Sequence, residues 1–148
     1  MKKLRIYLDN CCYGRPFDNQ KDLKINEETQ AKIFIQSLVR YNALELVYSS
    51  MSVKELTDSP FEDNSRSILE FIENNAAVYI DGNRDIVISL TEEIMHSGIK
   101  LKDASHAAFA IIAKCDYLIT TDKRLSNFQD NRIKAINPIE FVKIWRGL

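Results

Sequence analysis

Four acidic residues occupy positions from which carboxylates could work together: Asp9 in YLDN, Glu55 in SVKEL, Asp103 in KDASHAA and Asp122 in TTDK. Carboxylates gathered in one pocket repel, and part of such a set is pushed above its ordinary pKa. A hard divalent cation removes that penalty, and Mg²⁺ is bound through oxygen, usually by one or two carboxylates with water and substrate phosphate. No nitrogen or sulfur set competes. His96 and His106 are the only histidines, and Cys11, Cys12 and Cys115 form no C-x-x-C pair of the kind that holds zinc. The chemistry that suits these residues is therefore oxygen ligation of Mg²⁺ or Mn²⁺. Each acid also has an ordinary local explanation. Asp9 would cap a turn after a strand, and Glu55 would close a capping box that begins at Ser52. Asp103 would be an N-cap or a first-turn acid, and Asp122 would cap the short segment DKRLSNF. The two readings coexist, because an acid at a helix N-terminus is also well placed to face a cleft.

The elements that must position these residues follow from periodicity and punctuation. Residues 4–8 (LRIYL) form a buried strand that ends abruptly at Asp9-Asn10, two cysteines and a Gly-Arg-Pro turn. Residues 26–41 form a helix with Asn26 as its cap, and 43–49 a strand. A short helix over 52–56 is bounded by Pro60, and an amphipathic helix covers 61–74. Residues 76–80 form a strand, 84–97 a helix stopping near Gly98, and 101–114 an alanine-rich helix. A strand within 116–122 and a short one over 132–136 follow, and Asn137-Pro138 opens a terminal helix. Strands alternating with helices predict an α/β fold, a mainly parallel sheet covered on both faces. Such sheets bind ligands beyond the carboxyl ends of their strands, where the strand order reverses. If the first and fourth strands are neighbours, Asp9 and Asp122 meet there.

With 148 residues, the chain is expected to be a single domain over 1–148. Hydrophobic residues make up 45%, with four glycines and three prolines, which excludes a disordered or fibrous chain. The net charge of −1 means that any surface for a polyanion must be local. The apolar stretch after the first residues is broken by Arg5 and too short to span a bilayer, and the odd cysteine count fits a reducing compartment. A cytoplasmic protein with no membrane association is expected.

These four acidic motifs, in this order and context, resemble the PIN-domain family, which includes the VapC-like toxin ribonucleases. LDNCCYGRPFD and SPFEDN further resemble a subgroup of stand-alone PIN proteins. The resemblance covers nearly the whole chain. It implies a three-layer α/β/α sandwich with strand order 3-2-1-4-5, and a metal-dependent nuclease acting on single-stranded or structured RNA. Carried over by position, it makes Asp9, Glu55, Asp103 and Asp122 both catalytic and metal-binding. Asp9 and Asp103 would be the most direct ligands, with Glu55 and Asp122 serving a second ion or acting through water. Asn10 stands where the family commonly has a small hydroxylic residue, and its amide would replace that contact. A homodimer and an antitoxin partner are further implications.

The mechanism expected is in-line attack of water on phosphorus, leaving a 3′-hydroxyl and a 5′-phosphate. Substrate contacts are expected from Asn10, Arg15, Thr120, Thr121 and Lys123, with Lys54, Lys100, Lys102 and Arg124 adding positive charge beside the acids. For the threonines, strand propensity is the competing explanation. Tyr13 and Phe17 would stack on bases or pack their loop down. His106 lies one turn after Asp103 on the same helical face, where it would contact a phosphate or a metal-bound water, or simply be packed or cap-linked. The alternative from another class is a non-catalytic nucleic-acid- or protein-binding module of the same fold. A phosphatase of haloacid-dehalogenase type is disfavoured, because Cys11 stands where its second Asp would be.

Overall fold

Along LRIYL the side chains alternate between two cores: Ile6 and Leu8 enter one buried cluster and Tyr7 the other. Only a strand covered on both faces requires that. A computed structural model of the chain describes residues 2–148; residue 1 of the expected domain lies outside the described residues. Strand β1 (Leu4–Leu8) leads into the short helix α1 (Asn10–Gly14), a 3-10 turn (Arg15–Phe17) and helix α2 (Leu23–Arg40). Then come β2 (Leu44–Ser49), α3 (Ser50–Thr57), α4 (Glu62–Asn75), β3 (Val78–Ile80) and α5 (Asp85–Met95). The chain continues through α6 (Leu101–Ile112), β4 (Tyr117–Ile119), α7 (Lys123–Ser126), β5 (Gln129–Asp130), β6 (Ile133–Ile136) and α8 (Pro138–Gly147).

The sheet runs β3-β2-β1-β4-β6-β5 and is parallel except for β5. It is the α/β/α sandwich expected, with one difference at the edge. The predicted order stops at the strand over 132–136; that strand is β6, and a two-residue strand pairs antiparallel with it through Gln129↔Lys134 and Asp130↔Ile133. Asp130 turns the chain there by accepting from the Arg132 N–H at 2.8 Å. A two-residue strand has no alternation to read, so the sequence could not announce it. β1 lies between β2 and β4, in register Ile6↔Leu46 and Tyr7↔Leu118.

One face of the sheet carries α2, α4 and α8, with Ile35, Ile72 and Phe141 fully buried; the other carries α5 and α6, with Val87, Ile94 and Phe109. Each such side chain contributes about 1.5–3 kcal/mol by leaving water. Helix α6 is built from the strongest helix former, and Ala104, Ala107, Ala108 and Ala110 are completely buried. Their small size lets the helix lie close on the sheet. Helix α5 ends before Gly98, whose φ of +96° is a left-handed turn that glycine adopts without strain.

Two local expectations are corrected. Helix α2 begins three residues earlier than its predicted cap at Asn26, because the Asp22 carboxylate accepts from the Ile25 N–H at 3.1 Å. The segment after Asp9, expected as a turn, is the single helical turn α1, capped by Asp9 itself. Among the described residues, no helix is long and apolar enough to cross a membrane.

Candidate metal and phosphate site

Asp9 is delivered by the end of β1. Its own N–H continues the β1–β4 pairing by donating to the Ile119 carbonyl at 2.9 Å. Asp9 is only 6% exposed, yet its carboxylate is surrounded by donors. Oδ1 accepts from the Asn10 N–H at 2.8 Å, and Oδ2 accepts from the Thr120 hydroxyl at 2.9 Å and the Cys11 thiol at 3.3 Å. The Thr120 oxygen in turn accepts from the Asp122 N–H at 3.0 Å. One fully buried hydroxyl therefore ties together the acids that end β1 and follow β4. Asp122 also caps α7, accepting from the Arg124 N–H at 2.9 Å.

Glu55 does not close a capping box. That box is formed by Ser49, the N-cap of α3, and Ser52, each side chain bonding the other's backbone N–H at 3.2 Å. Glu55, one turn further on, is left to face His106, whose Nε2 it contacts directly, and Lys102, whose Nζ is 3.2 Å away. His106 is 1% exposed. Its Nδ1 lies 2.6 Å from the Tyr7 hydroxyl, and its Nε2 lies 3.7 Å from Asp9 Oδ1. The Tyr7 hydroxyl also reaches Ser49 Oγ at 2.7 Å and Ser52 Oγ at 3.2 Å. Asp103 sits in the first turn of α6, where the cap position is Lys100.

All four acids and His106 line one cleft of about 1040 Å³ at the carboxyl edge of the sheet. Ligand atoms of Asp9, Glu55 and His106 lie within 4.8 Å of one another, close enough to share a metal ion. The electrostatics agree with a site short of positive charge. Burial, then the charges of Asp122 and Asp9, push the Asp103 carboxyl above its ordinary pKa. Burial would raise Glu55 too, but its hydrogen bond to His106, the His106 charge and Lys102 outweigh it and hold this carboxyl down. Burial would lower His106, but the Glu55 bond and the charges of Asp9, Glu55 and Asp103 raise it. Asn10 donates Nδ2 to the Ser52 carbonyl at 3.0 Å and keeps Oδ1 buried with no partner among the described residues. A buried oxygen acceptor left over beside crowded carboxylates fits a cation.

The other residues expected to touch substrate are placed differently. Asn10 lines the cleft. Arg15 does not; it is held by Glu28 at 2.9 Å and Asp18 at 2.7 Å. Thr120 is fully buried beneath the acids, Thr121 gives its N–H to Cys11 Sγ at 3.4 Å, and Lys123 is exposed in the first turn of α7. Lys54, Lys100 and Lys102 do line the cleft. Tyr13 is 1% exposed and packs on Phe71, so it offers no face for stacking, whereas Phe17 lines the cleft and is 52% exposed. The sequence offered His106 only as a neighbour of the site or as packing, and it offered Tyr7 no place there at all. The spacing of His106 from Asp103 was visible, but Tyr7 reads as one more apolar strand residue until the fold sets it under α6.

No protein-family model matches the chain, and no curated protein matches it. Among solved structures, it is similar to a chain in the crystal structure of VapBC2 from Rickettsia felis bound to a DNA fragment from their promoter. The two are 17% identical with a TM-score of 0.54, over 90% of this chain and 98% of that one. At that identity the likeness is one of fold.

Proposed function

We propose that this chain is a single PIN-like domain and a Mg²⁺- or Mn²⁺-dependent endoribonuclease. The observation that carries the reading is the meeting of Asp9, Glu55, Asp103 and Asp122 on one cleft at the carboxyl edge of a parallel sheet. Those four residues would hold the ion, Asp9 and Asp103 most directly. When bound, the ion supplies charge neutralisation at a phosphodiester and makes a water acidic enough to attack. Asp9 is kept in place by the Asn10 N–H, the Thr120 hydroxyl and the Cys11 thiol. Asp122 would orient the water that attacks phosphorus; as the new P–O bond forms, the bond to the 3′-oxygen breaks, the water gives up a proton to solvent and the 3′-oxygen takes one up, leaving a 3′-hydroxyl and a 5′-phosphate. Lys54, Lys100 and Lys102 meet the backbone charge, and Phe17 stacks on an unpaired base at the rim.

The fold shared with a chain of VapBC2, a complex crystallised on promoter DNA, supports an antitoxin-type protein partner on this reading. RNA is the substrate, the cytoplasm the compartment, and a homodimer the assembly it favours. The test is cleavage of a single-stranded RNA with and without Mg²⁺ or Mn²⁺, by the protein and by Asp9→Asn. Cleavage should require the ion and fall more than ~100-fold in the variant, since even residues behind a metal's ligands cost 10–100-fold. Equal rates in both proteins would trace the activity to a contaminant and leave the non-catalytic binding module in its place.

A further inference from the structure

His106 sits among Ala104, Ala107 and Ala108 with 1% of its surface exposed, and its two ring nitrogens have different neighbours. Nδ1 is 2.6 Å from the Tyr7 oxygen, which also lies 2.7 Å from Ser49 Oγ. A phenol has one proton and two lone pairs. With that proton given to Ser49, the Tyr7 oxygen accepts from Nδ1–H. That arrangement leaves Nε2 directed at Glu55, which it contacts, and at Asp9 3.7 Å away; an ion bound there takes the place of the proton shared between Nε2 and Glu55. Histidines that bind metals have their other nitrogen fixed by such a hydrogen bond. Asn10, beside Asp9, also lines the cleft, and its buried Oδ1 has no hydrogen-bond partner among the described residues.

The geometry points to His106 Nε2 as a nitrogen ligand beside Asp9 and Glu55, in a mixed nitrogen–oxygen centre that takes Mn²⁺ in preference to Mg²⁺. This rests on the divalent-ion site of the proposed function and departs from the all-oxygen set that the sequence suggested. Both ions favour carboxylate and water oxygens, but Mn²⁺, the first of the transition series, tolerates one imidazole among them better than Mg²⁺, which demands oxygen in near-ideal octahedral geometry. The three ligand atoms already lie within 4.8 Å of one another, so no element has to move to bring the nitrogen to the ion.

Mn²⁺ alone and Mg²⁺ alone serve as probes on tag-free full-length protein. Pulsed electron paramagnetic resonance of the Mn²⁺-loaded protein should show coupling to an imidazole ¹⁴N, absent in His106→Gln. Titration calorimetry should show Mn²⁺ affinity falling at least about tenfold in that variant, with Mg²⁺ affinity changing much less. Bound Mn²⁺ without nitrogen coupling overturns the inference, as does equal loss of both ions. If His106→Gln does not fold, ¹⁵N-histidine labelling of the unmutated protein replaces it: the ¹⁴N signal must give way to ¹⁵N. RNA cleavage separates the two readings. Cleavage by a protein lacking the nitrogen coupling overturns the ligand and leaves the nuclease. Nitrogen coupling in a protein that cleaves no RNA sustains the ligand and overturns the nuclease.

Discussion

Asp103 carries a charge that its surroundings oppose, through burial first and then through Asp122 and Asp9. A carboxyl whose pKa is higher folded than unfolded destabilises the fold wherever it is ionised in both states, and the penalty vanishes as pH falls through the folded value to the unfolded one. Asp103→Asn should therefore melt above the parent protein at neutral pH without metal. The difference should shrink as the buffer approaches the ordinary carboxylate range, while RNA cleavage falls more than ~100-fold. Scanning calorimetry across pH checks the first part, and a lower melting point at neutral pH would show the carboxylate to be stabilising. Thr120 acts differently, as the donor that orients Asp9 and the acceptor for the Asp122 N–H. Thr120→Val keeps the shape but strands both partners. Turnover should drop roughly 10–100-fold, with stability reduced by about 1–3 kcal/mol; unchanged turnover would mean Asp9 needs no such support.

At the scale of elements, α3 shows how a local rule can be satisfied by the wrong residue. SVKEL fits a box from Ser52 to Glu55, but a strand that ends at Ser49 supplies a cap three residues earlier. The earlier cap wins because Ser49 also hydrogen-bonds Tyr7, and Glu55 is freed for the cleft. Ser49→Ala removes both contacts and should cost about 1–2 kcal/mol in urea unfolding, with an unchanged denaturant slope. A loss within error would show that Ser52 alone holds the helix start. Helix α6 makes the complementary point. Its alanine face was legible, but its closeness to β1, which brings His106 to Tyr7, depends on what it packs against.

Across the whole molecule, α2 contributes a second unfavourable charge, remote from the chemistry in its role. Lys32 is 8% exposed, and burial, followed by the nearby Arg40 charge, pushes its amine down to about 8. An amine whose pKa is lower folded than unfolded costs stability below the folded value, and the cost fades as pH rises from about 8 toward the unfolded 10.5. Lys32→Met should stabilise the protein at neutral pH by about 1–3 kcal/mol, and the gain should disappear in alkaline buffer without loss of RNA cleavage. A gain constant with pH would assign it to packing alone. Of the two opposed charges, the one at the cleft would be relieved by a cation.

The order of strands and helices, the two-sided burial of the sheet and the four acids were legible in the sequence. Each is written over a few consecutive residues, as an alternation, a cap or a carboxylate at a strand end. The short α1 and β5 were not, because so few residues show no period. Nor were the company of His106 or the true partner of Glu55. Tyr7 and His106 are 99 residues apart in the chain, and Glu55 and His106 are 51. Which groups meet across such distances depends on strand order and on how closely small residues let a helix approach the sheet. Tertiary packing alone decided that a nitrogen would stand among the oxygens.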